Sequence, residues 1–296
     1  MEAILTYGLL AGCIICFTFQ GFFGKLYANA YDGEQSAATP VFACLYGLIV
    51  GVSVLAAVLH FDFAPSTATW IFGLANGVTL FLYNLGMINA SRTGPYSLQS
   101  IFRLLGGVVV PMLFAVLYWG DSLTAVQIAG IVVMLISFVV INLSDEPMTG
   151  VKKGYAGWTA LLFVVNGIYG TLMDGQQRVM AGAQRNEMIV VTFLCSSLVS
   201  LIYLLCTQKK AAAKAFRMSR NAWLCVLGGS LSAALAVYQM MIMLGRMSAA
   251  IYYTVSNGMV LVMSVLLSAV LLKEKLTRNV IIGIVLAVVS LVLLSV

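Results

Sequence analysis

The chain is 296 residues long, and 61% of its residues are hydrophobic while only 9% are charged. A soluble domain of this size would carry far more charge, so the composition excludes a soluble protein and indicates an integral membrane protein. The formal net charge of +6 does not indicate nucleic acid binding, because the basic residues lie in short loops beside apolar segments, where they orient membrane spans.

Apolar segments long enough to cross a bilayer recur along the whole chain. We predict an all-α integral membrane protein with ten transmembrane helices, at 4–27, 38–59, 67–90, 94–118, 124–142, 154–173, 188–206, 221–245, 248–272 and 277–295. Glycine, proline and Asx residues in the intervening turns end the helices. No loop exceeds roughly 15 residues, which leaves no room for a soluble domain. The function is therefore expected within the membrane spans.

The first span is predicted to be retained, because only Met1 and Glu2 precede it and a signal peptide would need a basic start. The six cysteines lie in or beside apolar spans, where packing is the favoured interpretation. Cys13 and Cys16 share a helix face, which leaves a redox or metal pair as the alternative. No metal or cofactor is expected.

The two halves of the chain are related by duplication. Residues 87–120 align with 241–274 at an offset of about 154, which places Arg92 over Arg246. Residues 20–24 align with 166–170 in the opening spans of the two halves. Each copy holds five spans, an odd number, so the copies are predicted to be inverted relative to one another, at 1–146 and 147–296. The glycines of the opening spans, Gly21, Gly24, Gly167 and Gly170, are predicted to be helix-packing positions.

The basic residues are distributed unevenly between the two sides of the membrane. The odd-numbered connections carry twelve Lys and Arg residues, whereas the even-numbered ones carry only Arg178, Arg185 and Arg246. The positive-inside rule therefore places both termini outside the cell. The opposite orientation stays open, since residues 209–220 supply much of this bias.

Arg103 is the most informative single residue. It lies about nine residues into the fourth span, roughly 13 Å from its start. An arginine at such depth costs at least about 2.5 kcal/mol, so it is expected to face a cavity or a partner. A structural contact to neighbouring carbonyl groups is the alternative role.

Further polar residues are expected to line the same space. Gln99 shares a helix face with Arg103, and their repeat equivalents Tyr253 and Asn257 share one in the ninth span. Two inverted helices would thus each present a polar pair to one central site. The remaining candidates are polar or aromatic residues at span depth, namely Gln20, Asn166, Asn76, Tyr83, Asn84, Tyr238, Gln239, Tyr252 and Tyr169.

Acidic residues are missing from the middle of the predicted spans. All ten lie at span ends or in loops, with Asp174 near the end of the sixth span as the nearest exception. Proton-coupled export of lipophilic cations is therefore disfavoured, because a proton relay generally needs a titratable group inside the membrane. A fixed positive charge among amides and phenols instead suits a carboxylate or a phosphate.

Short motifs in both halves carry a family resemblance. The second half has Lys273-Glu274-Lys275-Leu276-Thr277 followed by Gly283, and the first has Gly120-Asp121-Ser122-Leu123-Thr124 followed by Gly130, with Pro111 inside the fourth span. Along its whole length the chain resembles the drug/metabolite transporter (DMT) superfamily in its ten-span EamA-type branch. That resemblance implies a central cavity lined by the first, third and fourth spans of each half, and all thirteen candidates fall on these spans.

The resemblance and the candidate residues together predict a secondary transporter. We expect an exporter, facilitator or exchanger for small polar, carboxylate-bearing metabolites such as amino acids, working by alternating access around a central cavity. A multidrug exporter for lipophilic solutes and a noncatalytic assembly subunit are the alternatives. An intramembrane enzyme is not expected, because His, Asp, Glu and Cys do not cluster in the sequence.

The expected partners follow from the same reasoning. They are a small-molecule substrate and the lipid bilayer, without nucleic acid, and a homodimer is one option for the assembly. The predicted location is the plasma membrane of a bacterium, as a multi-pass protein.

Overall fold

A computed structural model describes residues 2–94, 96–142, 151–208, 212–271 and 277–294. Within these ranges the secondary structure is helical, as predicted from the sequence. The helices are α1 (Glu2–Ala30), α2 (Gln35–Ala57), α3 (Thr67–Thr93), α4 (Tyr96–Leu117), α5 (Ala125–Asn142), α6 (Tyr155–Val179), α7 (Arg185–Gln208), α8 (Ala212–Ala215), α9 (Arg220–Leu244), α10 (Ala249–Leu271) and α11 (Arg278–Leu294).

These helices confirm a multi-pass membrane protein. In the described part of the chain, nine helices are long and apolar enough to cross a membrane, and α11 is a shorter apolar helix of 17 residues. The ten predicted spans therefore correspond to every helix except the four-residue α8. The motif residues 273–276 and the predicted repeat boundary at 146/147 lie outside the described residues.

The chain folds into two compact units that differ from the two sequence repeats. The first unit comprises Met1–Asn84 and Gly175–Gly245, and the second comprises Leu85–Asp174 and Arg246–Val296. Each unit contains helices from both halves of the sequence, and α3 and α6 contribute residues to both units. The division of the sequence into two repeats, at 1–146 and 147–296, stays a prediction.

In the second unit, α5 and α11 pack through two reciprocal hydrogen bonds. The Ser137 hydroxyl donates to the Gly283 carbonyl at 2.7 Å, and the Ser290 hydroxyl donates to the Gly130 carbonyl at 2.7 Å. Ser290 lies 153 positions after Ser137, and Gly283 lies 153 positions after Gly130. The same contact thus occurs twice, with the roles of the two helices exchanged. From Gly130 to Ser137 along α5, the bonded partner on α11 goes back from Ser290 to Gly283, so the two helices run antiparallel. This arrangement is consistent with the predicted inverted repeats.

In the first unit, α2 and α7 form a similar pair. The Ser197 hydroxyl donates to the Cys44 carbonyl at 2.7 Å, and the Cys44 Sγ lies 3.7 Å from the Ser197 Oγ. These two residues are themselves 153 positions apart. Beside them, a Cβ at Gly47 would lie 2.5 Å from the Phe193 carbonyl oxygen. Small side chains therefore let the two backbones approach closely.

A glutamine joins the starts of α3 and α7 in the first unit. The Gln184 Oε1 accepts hydrogen bonds from the Ser66 N–H and the Thr69 hydroxyl, both at 2.8 Å, and its Nε2 donates to the Ala64 carbonyl at 3.2 Å. Gln184 has a φ of 54° and Ala181 a φ of 48°, values in the left-handed region that favours glycine. The side-chain hydrogen bonds thus hold a turn whose backbone is strained.

Replacing Gln184 with alanine is expected to lower the free energy of unfolding by about 2 kcal/mol. Three side-chain hydrogen bonds are lost, each with a net contribution of about 0.5–1.5 kcal/mol, while the backbone strain remains. Gln184→Gly removes the same bonds but relieves the positive φ, so it should be about 1 kcal/mol more stable than Gln184→Ala. Thermal unfolding of the purified variants in one detergent tests this order. An alanine variant as stable as the wild type would contradict it.

Candidate functional site

The second unit brings α4 and α6 into near backbone contact. A Cβ at Gly106 would overlap the Phe163 carbonyl oxygen and lie 2.6 Å from the Phe163 Cα. One turn further along α4, Val110 packs against Gly167. Residues without a large side chain at these points allow such an approach. The polar residues of both helices are consequently close together.

The Asn166 and Asn257 side chains and the main chain of Arg103 meet around Gly107. The Asn166 Nδ2 donates to the Arg103 carbonyl at 2.8 Å. A Cβ at Gly107 would lie 2.5 Å from the Asn166 Nδ2 and 3.4 Å from the Asn257 Nδ2. The three polar side chains are half-buried, and they come from α4, α6 and α10. We name this group, together with Gly107, the Gly107 cluster.

The backbone of α4 adds a further acceptor to the cluster. Pro111 lies inside α4 and has no N–H, so the Gly107 carbonyl receives no helical hydrogen bond from position 111. Arg103 is the eighth residue of α4, about 10 Å from the start of the helix. This depth is smaller than the predicted one, because the described helix starts at Tyr96 rather than at 94.

Two tyrosines of α10 lie close to the Gly107 cluster. The Tyr253 hydroxyl donates to the Gly170 carbonyl at 3.0 Å, and a Cβ at Gly170 would lie 3.0 Å from the Pro111 Cγ. Tyr252 is buried, and its ring centre is 5.1 Å from that of Tyr253. Tyr169 on α6 is half-buried. Tyr252 and Tyr253 thus form an edge-to-face ring pair, and the Tyr253 phenol also bonds the backbone of α6.

Gln99 has a different local setting from the one predicted. Its side chain is fully buried, and its Nε2 donates to the Met87 carbonyl at 3.2 Å. This bond ties the start of α4 to the end of α3 in the second unit. A structural role therefore accounts for the burial of Gln99, and its role in substrate binding stays a prediction.

The other six predicted residues lie in the first unit. The Gln20 Nε2 donates to the Tyr46 hydroxyl at 3.2 Å, and the Gln239 amide packs on Gly12 of α1, with its Nε2 2.7 Å from the position of a Cβ there. Asn76 is fully buried, and neither polar atom of its amide has a hydrogen-bond partner among the described residues. Such an amide is free to bond a water or a solute. Tyr83, Asn84 and Tyr238 are half-buried.

The structure corrects one prediction about glycines and reveals a residue that the sequence reasoning missed. Gly167 and Gly170 pack closely, as predicted, but Gly21 and Gly24 have nothing within 4 Å of a Cβ position. The two aligned glycine pairs thus have different surroundings. Gly107, at the centre of the cluster, was not a candidate. Its sequence signal is the Gly106-Gly107 pair directly after the turn that carries Arg103.

The sequence and the fold both resemble known proteins. Residues 156–296 match the model of the EamA-like transporter family. A solved crystal structure with a TM-score of 0.79 and 16% sequence identity covers 97% of this chain, and the match covers 95% of that structure's chain. At this identity the likeness concerns the fold alone. No match was found among curated protein sequences.

Proposed function

Because residues 156–296 form an EamA-like transporter domain of the DMT superfamily, and the chain is a multi-pass membrane transporter of that superfamily, we propose that it carries small carboxylate-bearing metabolites such as amino acids. The Gly107 cluster is the observation that supports this substrate class. It places Arg103 one helical turn before Gly107 on α4, with its main-chain carbonyl bonded by the Asn166 amide and the Asn257 amide close to Gly107. In this proposal the protein is a secondary transporter, and alternating access exposes the cluster first to one side of the membrane and then to the other.

The chemistry of the cluster favours a carboxylate over a neutral or cationic solute. A guanidinium group can donate two parallel hydrogen bonds to a carboxylate, which gives both affinity and a fixed orientation. The half-buried amides of Asn166 and Asn257 can donate to a further acceptor or accept from an ammonium group. The half-buried ring of Tyr169 on α6 offers aromatic surface for the apolar part of the solute.

One structural observation favours the alternative substrate class. Asp174 on α6 is 2% exposed, so a carboxyl group lies buried within the described part of a membrane helix. Buried carboxyl groups in membrane helices can carry protons or hold cations. A proton-linked exporter of lipophilic cations is therefore the second candidate, with Asp174 as its central residue.

A ligand panel on the purified protein tests the first proposal against the second. The measured quantity is the shift in unfolding temperature that each ligand causes. Amino acids and other organic acids are compared with their methyl esters, and phosphorylated metabolites and lipophilic cations complete the panel. A ligand that binds the folded state raises that temperature by mass action. We expect an acid to stabilise the protein and its ester to have little effect.

The transport step needs a second measurement. An acid that stabilises the protein is expected to exchange across proteoliposomes that contain the protein and not across protein-free vesicles. Equal stabilisation by an acid and its ester would contradict the proposed role of a fixed positive charge. Stabilisation by cations alone, with loss of the effect in Asp174→Asn, would favour the exporter of lipophilic cations.

A further inference from the structure

The connection between α7 and α9 is anchored to the end of α1. The Tyr31 hydroxyl donates to the Ala215 carbonyl at 3.0 Å, and the Ser219 hydroxyl donates to the Ala30 carbonyl at 3.0 Å. The Ser219 N–H also donates to the Asp32 Oδ1 at 3.1 Å. Burial raises the pKa of Tyr31, and the Asp32 and Glu34 carboxylates raise it further. The phenol therefore stays protonated and can act as a donor at neutral pH.

This anchored connection separates its apolar and charged residues. Ala212 and Ala215 are buried, and Phe216 and Met218 pack against the same apolar cluster of the first unit. The charged residues, Lys214, Arg217 and Arg220, recur at every third position and are all exposed. We name these three residues the basic triad. Because their neighbours are packed inward, the three charged side chains are exposed on a connection that is fixed to the protein.

The charge at this end of the first unit is predominantly positive. Lys25 near the end of α1 is exposed, and the exposed acids beside the connection are Asp32 and Glu34. The sequence adds Lys209 and Lys210 just before α8, outside the described residues. Among the described residues, four exposed basic side chains thus accompany two exposed acidic ones. An excess of this kind attracts anionic groups at a membrane surface.

An apolar ridge continues from the basic triad along α9. Its members are exposed by 37–54%, and those after Leu224 recur every three or four residues; the members are Trp223, Leu224, Leu227, Leu231 and Leu235. Arg220 lies one turn before Trp223 and Leu224 on the same side of the helix. A cationic group at the end of an exposed apolar ridge matches a phospholipid, whose phosphate lies at the interface and whose acyl chains follow the helix.

We propose that the basic triad and the α9 ridge form a binding site for an anionic phospholipid. Arg217 and Arg220 bind its phosphate oxygens, and Lys214 adds a positive charge at the headgroup. The acyl chains lie along Leu224, Leu227 and the following turns of α9. A second copy of the chain is a poorer occupant, because a symmetric contact would bring two basic triads together.

Lipid binding by the purified full-length protein tests this site. Delipidated protein is titrated with phosphatidylglycerol or with phosphatidylcholine of the same acyl chains, and bound lipid is counted by native mass spectrometry. The wild type is expected to bind phosphatidylglycerol at least about tenfold more tightly than phosphatidylcholine at low salt. The triple variant Lys214→Gln, Arg217→Gln, Arg220→Gln should lose that preference.

Two further variants separate a specific site from net charge and from misfolding. Lys152→Gln, Lys153→Gln, Arg278→Gln removes three exposed charges elsewhere and should keep the preference. Lys214→Arg, Arg217→Lys, Arg220→Lys keeps the charges of the triad and should also bind phosphatidylglycerol. The proposal is overturned if the two glutamine variants lose the preference equally, or if the charge-preserving variant folds and fails to bind.

The identity of the occupant has its own controls. Glycerol phosphate at millimolar concentration should not displace the lipid, because it lacks the acyl chains that lie along the ridge. Displacement by that soluble anion would show a free phosphate site instead. A change in the proportion of dimer in the triple variant, with unchanged lipid binding, would assign the surface to a second copy of the chain.

Discussion

Replacing Arg103 with glutamine is expected to weaken the binding of a carboxylate-bearing substrate by about 100-fold. Hydrogen bonds to charged groups contribute about 1.5–3 kcal/mol, and 2.7 kcal/mol corresponds to a factor of about 100. The Asn166 side chain bonds the main-chain carbonyl of Arg103, so the substitution leaves that contact between α4 and α6 in place. The variant is therefore expected to fold. The ligand concentration that gives half the maximal shift in unfolding temperature measures the effect.

Arg103→Lys is the matched control for the geometry of the charge. Lysine keeps the positive charge but cannot form the two parallel bonds of a guanidinium group, so an intermediate loss of about tenfold is expected. If glutamine and lysine variants bind the acid as tightly as the wild type, Arg103 has a structural role. The site would then have to lie elsewhere among the predicted residues.

The sequence predicted the helices well because hydrophobicity over about 20 residues is a strong and local signal. The ends of the helices were less certain. The predicted third and sixth spans end at 90 and 173, whereas α3 and α6 continue to Thr93 and Val179. Both extensions are more polar than the spans themselves, as in the segment from Asp174 to Arg178. A buried polar turn at a helix end lowers the mean hydropathy without ending the helix.

The candidate site was predicted only in part. Arg103, Asn166 and Asn257 were predicted from their depth and from the duplication, and the structure places both asparagine side chains and the main chain of Arg103 beside Gly107. The sequence could not show that the Gln99 side chain donates a hydrogen bond to the Met87 carbonyl, because that contact depends on how α3 ends. It also could not distinguish Gly24, which has open space around it, from Gly170, which packs against Tyr253. Packing partners are set by tertiary structure, whereas depth and periodicity can be read from the chain.

The close approach of α4 and α6 leads to the second large expected effect, in Gly106→Ala. The new Cβ would overlap the Phe163 carbonyl oxygen and lie 2.6 Å from the Phe163 Cα. A backbone cannot rotate away as a side chain can, so the two helices would have to separate. Overpacking of this kind costs about 1–3 kcal/mol, and the separation would also stretch the bond from Asn166 to the Arg103 carbonyl. We expect a loss of about 3 kcal/mol in the free energy of unfolding together with weaker substrate binding.

Two other glycines of the spans make this prediction specific. The atoms nearest to a Cβ at Gly107 belong to the Asn166 and Asn257 side-chain amides, whereas a Cβ at Gly24 would meet nothing within 4 Å. Gly107→Ala should therefore impair substrate binding with a smaller loss of stability, since amide groups can move aside. Gly24→Ala should be neutral or slightly stabilising, because alanine is the better helix former. Unfolding temperatures of the three variants in one detergent should rank Gly24→Ala highest and Gly106→Ala lowest, and equal values would contradict the close contact between α4 and α6.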